Sequence, residues 1–163
     1  GAFSTIGVVD TYHYANTQDD AGYTANLSVA YDFNVAKVFL AGQYFKDMRY
    51  LGKAAINDTV SGASVFGNST AKDGWGLNLG ATAPAFGGKF YAAVGYMDAD
   101  HSDDTAGKLK RYTVSLGYDY SLSKRTLVYA GAGYMHDKYD DFAATTVGSA
   151  YNYGVTAGLV HKF

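Results

Sequence analysis

Cysteine is absent from the 163 residues and proline occurs once. Without thiols there is no disulfide framework and no thiolate metal site. The longest apolar stretches are a few residues, such as Val38–Phe39–Leu40–Ala41. A membrane helix needs roughly 20, so a helical membrane protein is excluded. Charge of one sign is also missing: 13 basic residues face 15 acidic ones, a net charge of −2. That balance gives no electrostatic case for nucleic acid. Gly1–Ala2–Phe3–Ser4 has no basic segment leading into an apolar core. The expectation is a mature product or a piece of something longer. His13, His101, His136 and His161 converge on no nucleophile or ligand set. There is no Ser-His-Asp arrangement, no HExxH and no phosphate loop. The chain reads as no enzyme, with no cofactor and no metal.

What is present is aromatic and glycine-rich: 16 Tyr, 9 Phe and 20 Gly. Apolar residues make up 48% of the chain, yet the mean hydropathy is −0.13, so they are dispersed. The dispersal has a period of two. Tyr112, Val114, Leu116, Tyr118 and Tyr120 alternate with Arg111, Thr113, Ser115, Gly117 and Asp119. Tyr23 to Phe33 and Trp75 to Thr82 repeat the pattern, and Val155–Phe163 sets Val155, Ala157, Leu159 and His161 against Thr156, Gly158 and Lys162. On these segments aromatics lie toward the ends of the apolar face and aliphatics in the middle. That is the signature of strands with one face on lipid and one on water.

Eight such segments are expected: Thr5–Tyr14, Tyr23–Phe33, Lys37–Met48, Gly74–Ala83, Lys89–Asp98, Lys110–Ser121, Thr126–His136 and Ala150–Phe163. The first, third and seventh leave their facing open, and Asp10 is expected inward through a bulge. Short links at Phe33–Ala36, Pro84–Gly88 and Leu122–Arg125 alternate with long ones at Ala15–Gly22, Arg49–Asp73, His101–Leu109 and Asp137–Ser149. Outer-membrane barrels keep short turns on the periplasmic side and long loops outside. A soluble sandwich would expose a face rich in Lys and Glu; here the polar face is Thr, Ser, Asn and Gly. The fold expected is an all-β, antiparallel transmembrane β-barrel, one domain spanning residues 1–163.

Several stretches carry a family likeness. Ala30–Tyr31–Asp32–Phe33–Asn34–Val35–Ala36–Lys37–Val38, Lys110–Arg111–Tyr112, Gly117–Tyr118–Asp119–Tyr120–Ser121–Leu122–Ser123–Lys124–Arg125–Thr126 and His161–Lys162–Phe163 resemble motifs of the Gram-negative general porins, in their β-proteobacterial form. The first twenty residues match poorly. The resemblance implies an outer-membrane diffusion channel for ions and small hydrophilic solutes. It implies homotrimers of 16-stranded barrels set in lipid and lipopolysaccharide, with Phe163 read by the outer-membrane assembly machinery. What stands here resembles the C-terminal half, without the constriction-loop motif. The other architecture is a closed eight-stranded barrel with a structural or adhesin role. Small residues on the inner face, including Gly76, Gly80 and Gly117, suit a wide wall beside water better than a narrow filled barrel.

Pore-lining charges are expected at Arg111 above all, with Arg49, Lys37 and Lys162, where a fixed cation would draw anions. Asp32 and Asp119 sit on the same face, where they read as turn anchors paired with Lys37 and Arg125. Tyr31, Phe33, Trp75, Tyr112, Tyr118, Tyr120 and Phe163 are expected as interfacial aromatics. Asp98, Asp100, His101, Asp103 and Asp104 read as a solvated acidic loop rather than a calcium site.

Overall fold

A computed structural model of the chain describes residues 1–13, 21–48, 72–101, 108–140 and 148–163. Eight strands run in chain order: β1 (Ala2–His13), β2 (Ala21–Asp32), β3 (Lys37–Lys46), β4 (Lys72–Ala85), β5 (Gly88–His101), β6 (Lys108–Ser121), β7 (Thr126–Asp140) and β8 (Gly148–His161). They form one antiparallel meander in which each strand pairs with its sequence neighbours. The alternating pattern accounts for this. Strands with a period of two and short turns satisfy their backbone groups by pairing with the next strand along.

Every register is continuous, so a residue and its cross-strand partner share a face throughout the sheet. This settles the three open segments. Asp10 lies opposite Thr24 on the polar face, and β1 reaches that arrangement without the expected bulge. In β3, Phe39 and Phe45 join the polar face, opposite Gly80 and Gly74, while Val38, Leu40 and Tyr44 take the apolar one. In β7, Tyr129, Gly131, Gly133, Met135 and Asp137 line up with the polar face of β6.

Most strands run farther toward the long links than the hydropathy pattern suggested: β5 reaches His101, β6 starts at Lys108 and β7 reaches Asp140. Charged residues interrupt the added ends, Asp100 in β5, Lys108 in β6 and Asp137, Lys138 and Asp140 in β7, so the apolar alternation does not continue into them. The consequence for the site is direct. Asp137, expected at the start of a loop, stands inside β7 opposite Arg111.

The apolar face is laid out in bands. Leu27, Leu40, Leu77, Leu79, Val94, Val114, Leu116, Val155 and Leu159 are all exposed there. Toward the long links they give way to rings in contact, Tyr23 with Tyr44 (5.9 Å) and then Trp75, Tyr96, Tyr112 and His136 in sequence (5.4, 5.1 and 6.4 Å). Toward the short turns stand Tyr31 packed edge-on against Phe33 at 4.5 Å, with Tyr120 exposed. From Tyr23 to Tyr31 along β2 is roughly 26 Å at about 3.3 Å per residue, which at the tilt of a barrel strand spans most of a hydrocarbon band.

The sheet is not closed: β1 and β8 are its two edges and make no contact with each other. β1 is exposed along its length and β8 over most of it, with Val9 at 72% and Val155 at 82%. The chain therefore does not adopt the closed eight-stranded barrel considered from sequence. Buried apolar residues gather at the long-link end of the polar face, where Phe45, Met48, Ala99 and Leu109 pack with Met97 and Ala150.

Candidate functional site: the polar face of the sheet

Small side chains dominate the middle of this face. Asn26, Ser28, Gln43, Asn78, Gly95 and Thr113 come from five consecutive strands and line a hollow of about 280 Å³. This hollow lies along the polar side of the sheet. Glycine recurs because aromatic side chains lie down on it. Phe39 stands opposite Gly80, Tyr91 opposite Gly117 and Tyr129 opposite Gly158. A Cβ on Gly158 would strike the Tyr129 ring, and one on Gly80 would sit 3.6 Å from Phe39 Cδ2. A ring on one strand thus covers the bare backbone of the next, keeping strands paired where no side chain separates them.

Arg111 is placed on this face, at the edge of the hollow. Its Nε and Nη2 donate to Asp137 Oδ1 and Oδ2, both at 2.7 Å, a fork-to-fork pair. Asp137 is 1% exposed. The guanidinium is therefore locked to a buried carboxylate. A pore-lining charge is expected at Arg111; the structure sets that charge beside the hollow and pairs it with Asp137. The missed signal was the strand ending: extending β7 by one residue brings Asp137 into register.

The other expected charges cluster at the short-turn end. Asp32 accepts the Asn34 backbone N–H at 2.8 Å, an Asx turn that holds Asn34 at φ 71°. Lys37 lies opposite Asp32 in register, yet its Nζ sits over the Phe39 ring, 5.6 Å from the centroid. Asp119 accepts the Tyr91 hydroxyl at 2.5 Å, not a partner on Arg125. Lys89, which sequence reading passed over, lies opposite Asp119 with its Nζ 5.1 Å from the Tyr91 centroid. Lys162 falls just past β8, its backbone N–H donating to the Arg125 carbonyl at 2.9 Å. Arg49 lies outside the described residues, as do Asp19, Asp20, Asp58, Asp103, Asp104 and Asp141. Asp98 and Asp100 belong to β5. Among the described residues no group of three or more His, Asp or Glu is arranged to hold a metal ion.

The aromatics expected at an interface sit as follows. Tyr31, Trp75, Tyr112 and Tyr120 are exposed on the apolar face, and Phe33 and Phe163 are exposed just beyond strand ends. Tyr118 shares that face but is only half-buried. Its hydroxyl donates to the carbonyls of Ala85 (2.9 Å) and Phe86 (3.0 Å), clamping the β4–β5 hairpin. That hairpin is tight: Phe86 and Gly87 both take positive φ, 50° and 79°, as a two-residue turn of this hand requires.

A sheet with one exposed aliphatic face, rings at both margins and a small-residue polar face is the wall of a membrane barrel. The family model for Gram-negative porins matches residues 3–141. The chain belongs to the Gram-negative porin family. The match takes in β1, where local motifs showed little likeness, and residues 142–163 lie outside it. None of the curated proteins compared with the chain matches it. In this porin the apolar face is the transmembrane surface, and the face carrying Arg111, Lys37 and Lys89 is the other side of the wall.

Proposed function

We propose that this porin lines a water-filled channel in the bacterial outer membrane and passes ions and small hydrophilic solutes by passive diffusion. We further propose that its eight strands are the C-terminal half of a 16-stranded barrel of the β-proteobacterial type, assembled as a homotrimer. The observation that carries the reading is the combination of an open sheet with small residues on its polar face. An eight-stranded closure gives an interior that side chains must fill, whereas barrels of about 16 strands leave an aqueous channel. Glycine, serine and threonine cannot fill a narrow barrel, but they suit a wide one. Two unpaired edges of a dozen or more residues also need further strands, because lipid satisfies no backbone hydrogen bond.

Discrimination then comes from width and charge rather than chemistry, and a channel rather than an enzyme is the reading the family supports. The lipid partner is contacted by the aliphatic band and its rings. Beyond the rings at the long-link end, Lys108, Lys110 and Lys138 follow one another on the same face of β6 and β7. Asp98, Asp100 and Asp140 stand opposite Lys110 and Lys108 in register, so this margin carries both signs, and we assign it to the lipopolysaccharide headgroup region. Native full-length protein in a planar bilayer tests the channel. Discrete conductance steps that scale with salt concentration are expected. A folded protein that inserts and passes no current would overturn the reading.

A further inference from the structure

The polar face carries a feature that simple sieving does not need. Two strands leaving short turns repeat one arrangement: Lys37–Val38–Phe39 in β3 and Lys89–Phe90–Tyr91 in β5. In each, the ammonium reaches over the ring two residues on, at 5.6 and 5.1 Å. Between the rings lies a hollow of about 280 Å³ lined by Phe39, Thr82, Tyr91 and Ser115, with Gly80 and Gly117 in its wall. A side chain at either glycine would project beside Phe39 or Tyr91 and take up that space. A dry apolar cavity of roughly 150 Å³ accepts a benzene ring, so the volume is ample for one.

Charge selects among flat ligands. The two nearby carboxylates are engaged, Asp119 by the Tyr91 hydroxyl and Asp32 by the Asn34 N–H. Among the described residues neither Lys37 nor Lys89 has a carboxylate within 4.0 Å. Asp32 and Asp119 keep their negative charge, so the cluster is neutral in sum, but the two ammonium groups rest on the rings without an ion pair and are the groups open to an incoming anion. A phenyl group such as Phe39 offers a sugar no hydrogen bond, but it offers another ring a stacking surface. We propose that Phe39, Tyr91, Lys37 and Lys89 form a low-affinity binding site for small aromatic carboxylates. The ligand ring enters the hollow between Phe39 and Tyr91, and its carboxylate draws one or both ammonium groups off the protein's own rings.

The site rests on the channel reading only in that this face meets water. Radiolabelled benzoate is equilibrated by dialysis with the full-length protein folded in detergent micelles, with acetate and glucose as parallel ligands. Saturable, millimolar benzoate uptake is expected, with none for acetate or glucose. Phe39→Ala should weaken it about fivefold, the loss of one ring-stacking contact. Lys37→Gln/Lys89→Gln, which keeps both rings, should weaken it similarly and serves if the first variant does not fold. Benzoate uptake that never saturates, or that survives both changes in folded protein, would overturn the site. So would glucose binding in its place. Conductance of the same preparation separates the two claims. Benzoate binding without current sinks the channel and keeps the site; current without saturable benzoate sinks the site alone.

Discussion

Removing the guanidinium at position 111 leaves Asp137 buried beside Ala150 without the fork that holds both of its oxygens. Taking one partner from a buried pair costs more than the pair contributes, because the remaining charge stays desolvated. Arg111→Gln is expected to destabilise the folded barrel by about 3 kcal/mol. Arg111→Gln/Asp137→Asn should cost less than the sum of the two single changes. Urea unfolding midpoints in lipid vesicles read both, and strict additivity would show that the two side chains do not act together. Arg111→Glu sets two carboxylates face to face, so it strains the wall before it can report on permeation. Asp32 and Asp119 illustrate the same lesson more mildly. Their face was legible from alternation, but their partners are a backbone N–H and a tyrosine hydroxyl, and no spacing rule points to those.

For the strands, the deciding property is which face a position occupies, and neighbouring residues differ completely. Val114 and Ser115 are adjacent in β6, with Val114 46% exposed on the apolar face and Ser115 lining the hollow beside Tyr91. An arginine at the bilayer midplane of a lipid-facing strand costs about 2–4 kcal/mol. Val114→Arg is expected to lose that much in unfolding free energy, and Ser115→Arg to lose little. Equal losses would mean that β6 does not face the membrane as described. The clean alternation of β2, β4 and β6 made these strands readable from composition alone. β3 was not readable, because Phe39 and Phe45 are apolar residues on the polar face. They are there to cover Gly80 and Gly74 on the paired strand. Such a reason exists only once two strands are side by side. Strand ends were missed for a different cause, since charged termini beyond the rings have no apolar face to mark them.

At the level of the whole molecule, the open edges set the question. A wall whose first and last strands are unpaired presents two rows of backbone groups that lipid cannot satisfy. The proposed assembly is a trimer of completed barrels. Unheated native protein on a denaturing gel is expected to run at three times the mass of the heated chain. Migration as a single folded chain that still conducts would remove the trimer and leave the channel. The repeated Lys-x-aromatic arrangement also belongs to this scale. Its two copies lie in β3 and β5 and become one site because the intervening β4 brings Gly80 and Thr82 between them.

By itself the sequence determined that this is an antiparallel all-β membrane wall, since a period of two with aromatic margins and a polar face of Thr, Ser, Asn and Gly fits a lipid interface and not a soluble sandwich. It also determined that β2 pairs with β3, β4 with β5 and β6 with β7, because short turns force sequence neighbours to pair. Only the tertiary structure decided that the eight strands stay open. It alone paired Arg111 with Asp137, laid rings on glycines and set the Lys37 and Lys89 ammonium groups over rings rather than in ion pairs. The reason is physical: periodicity reports the medium each face meets, whereas cross-strand partners depend on register, and register is fixed only when the sheet assembles.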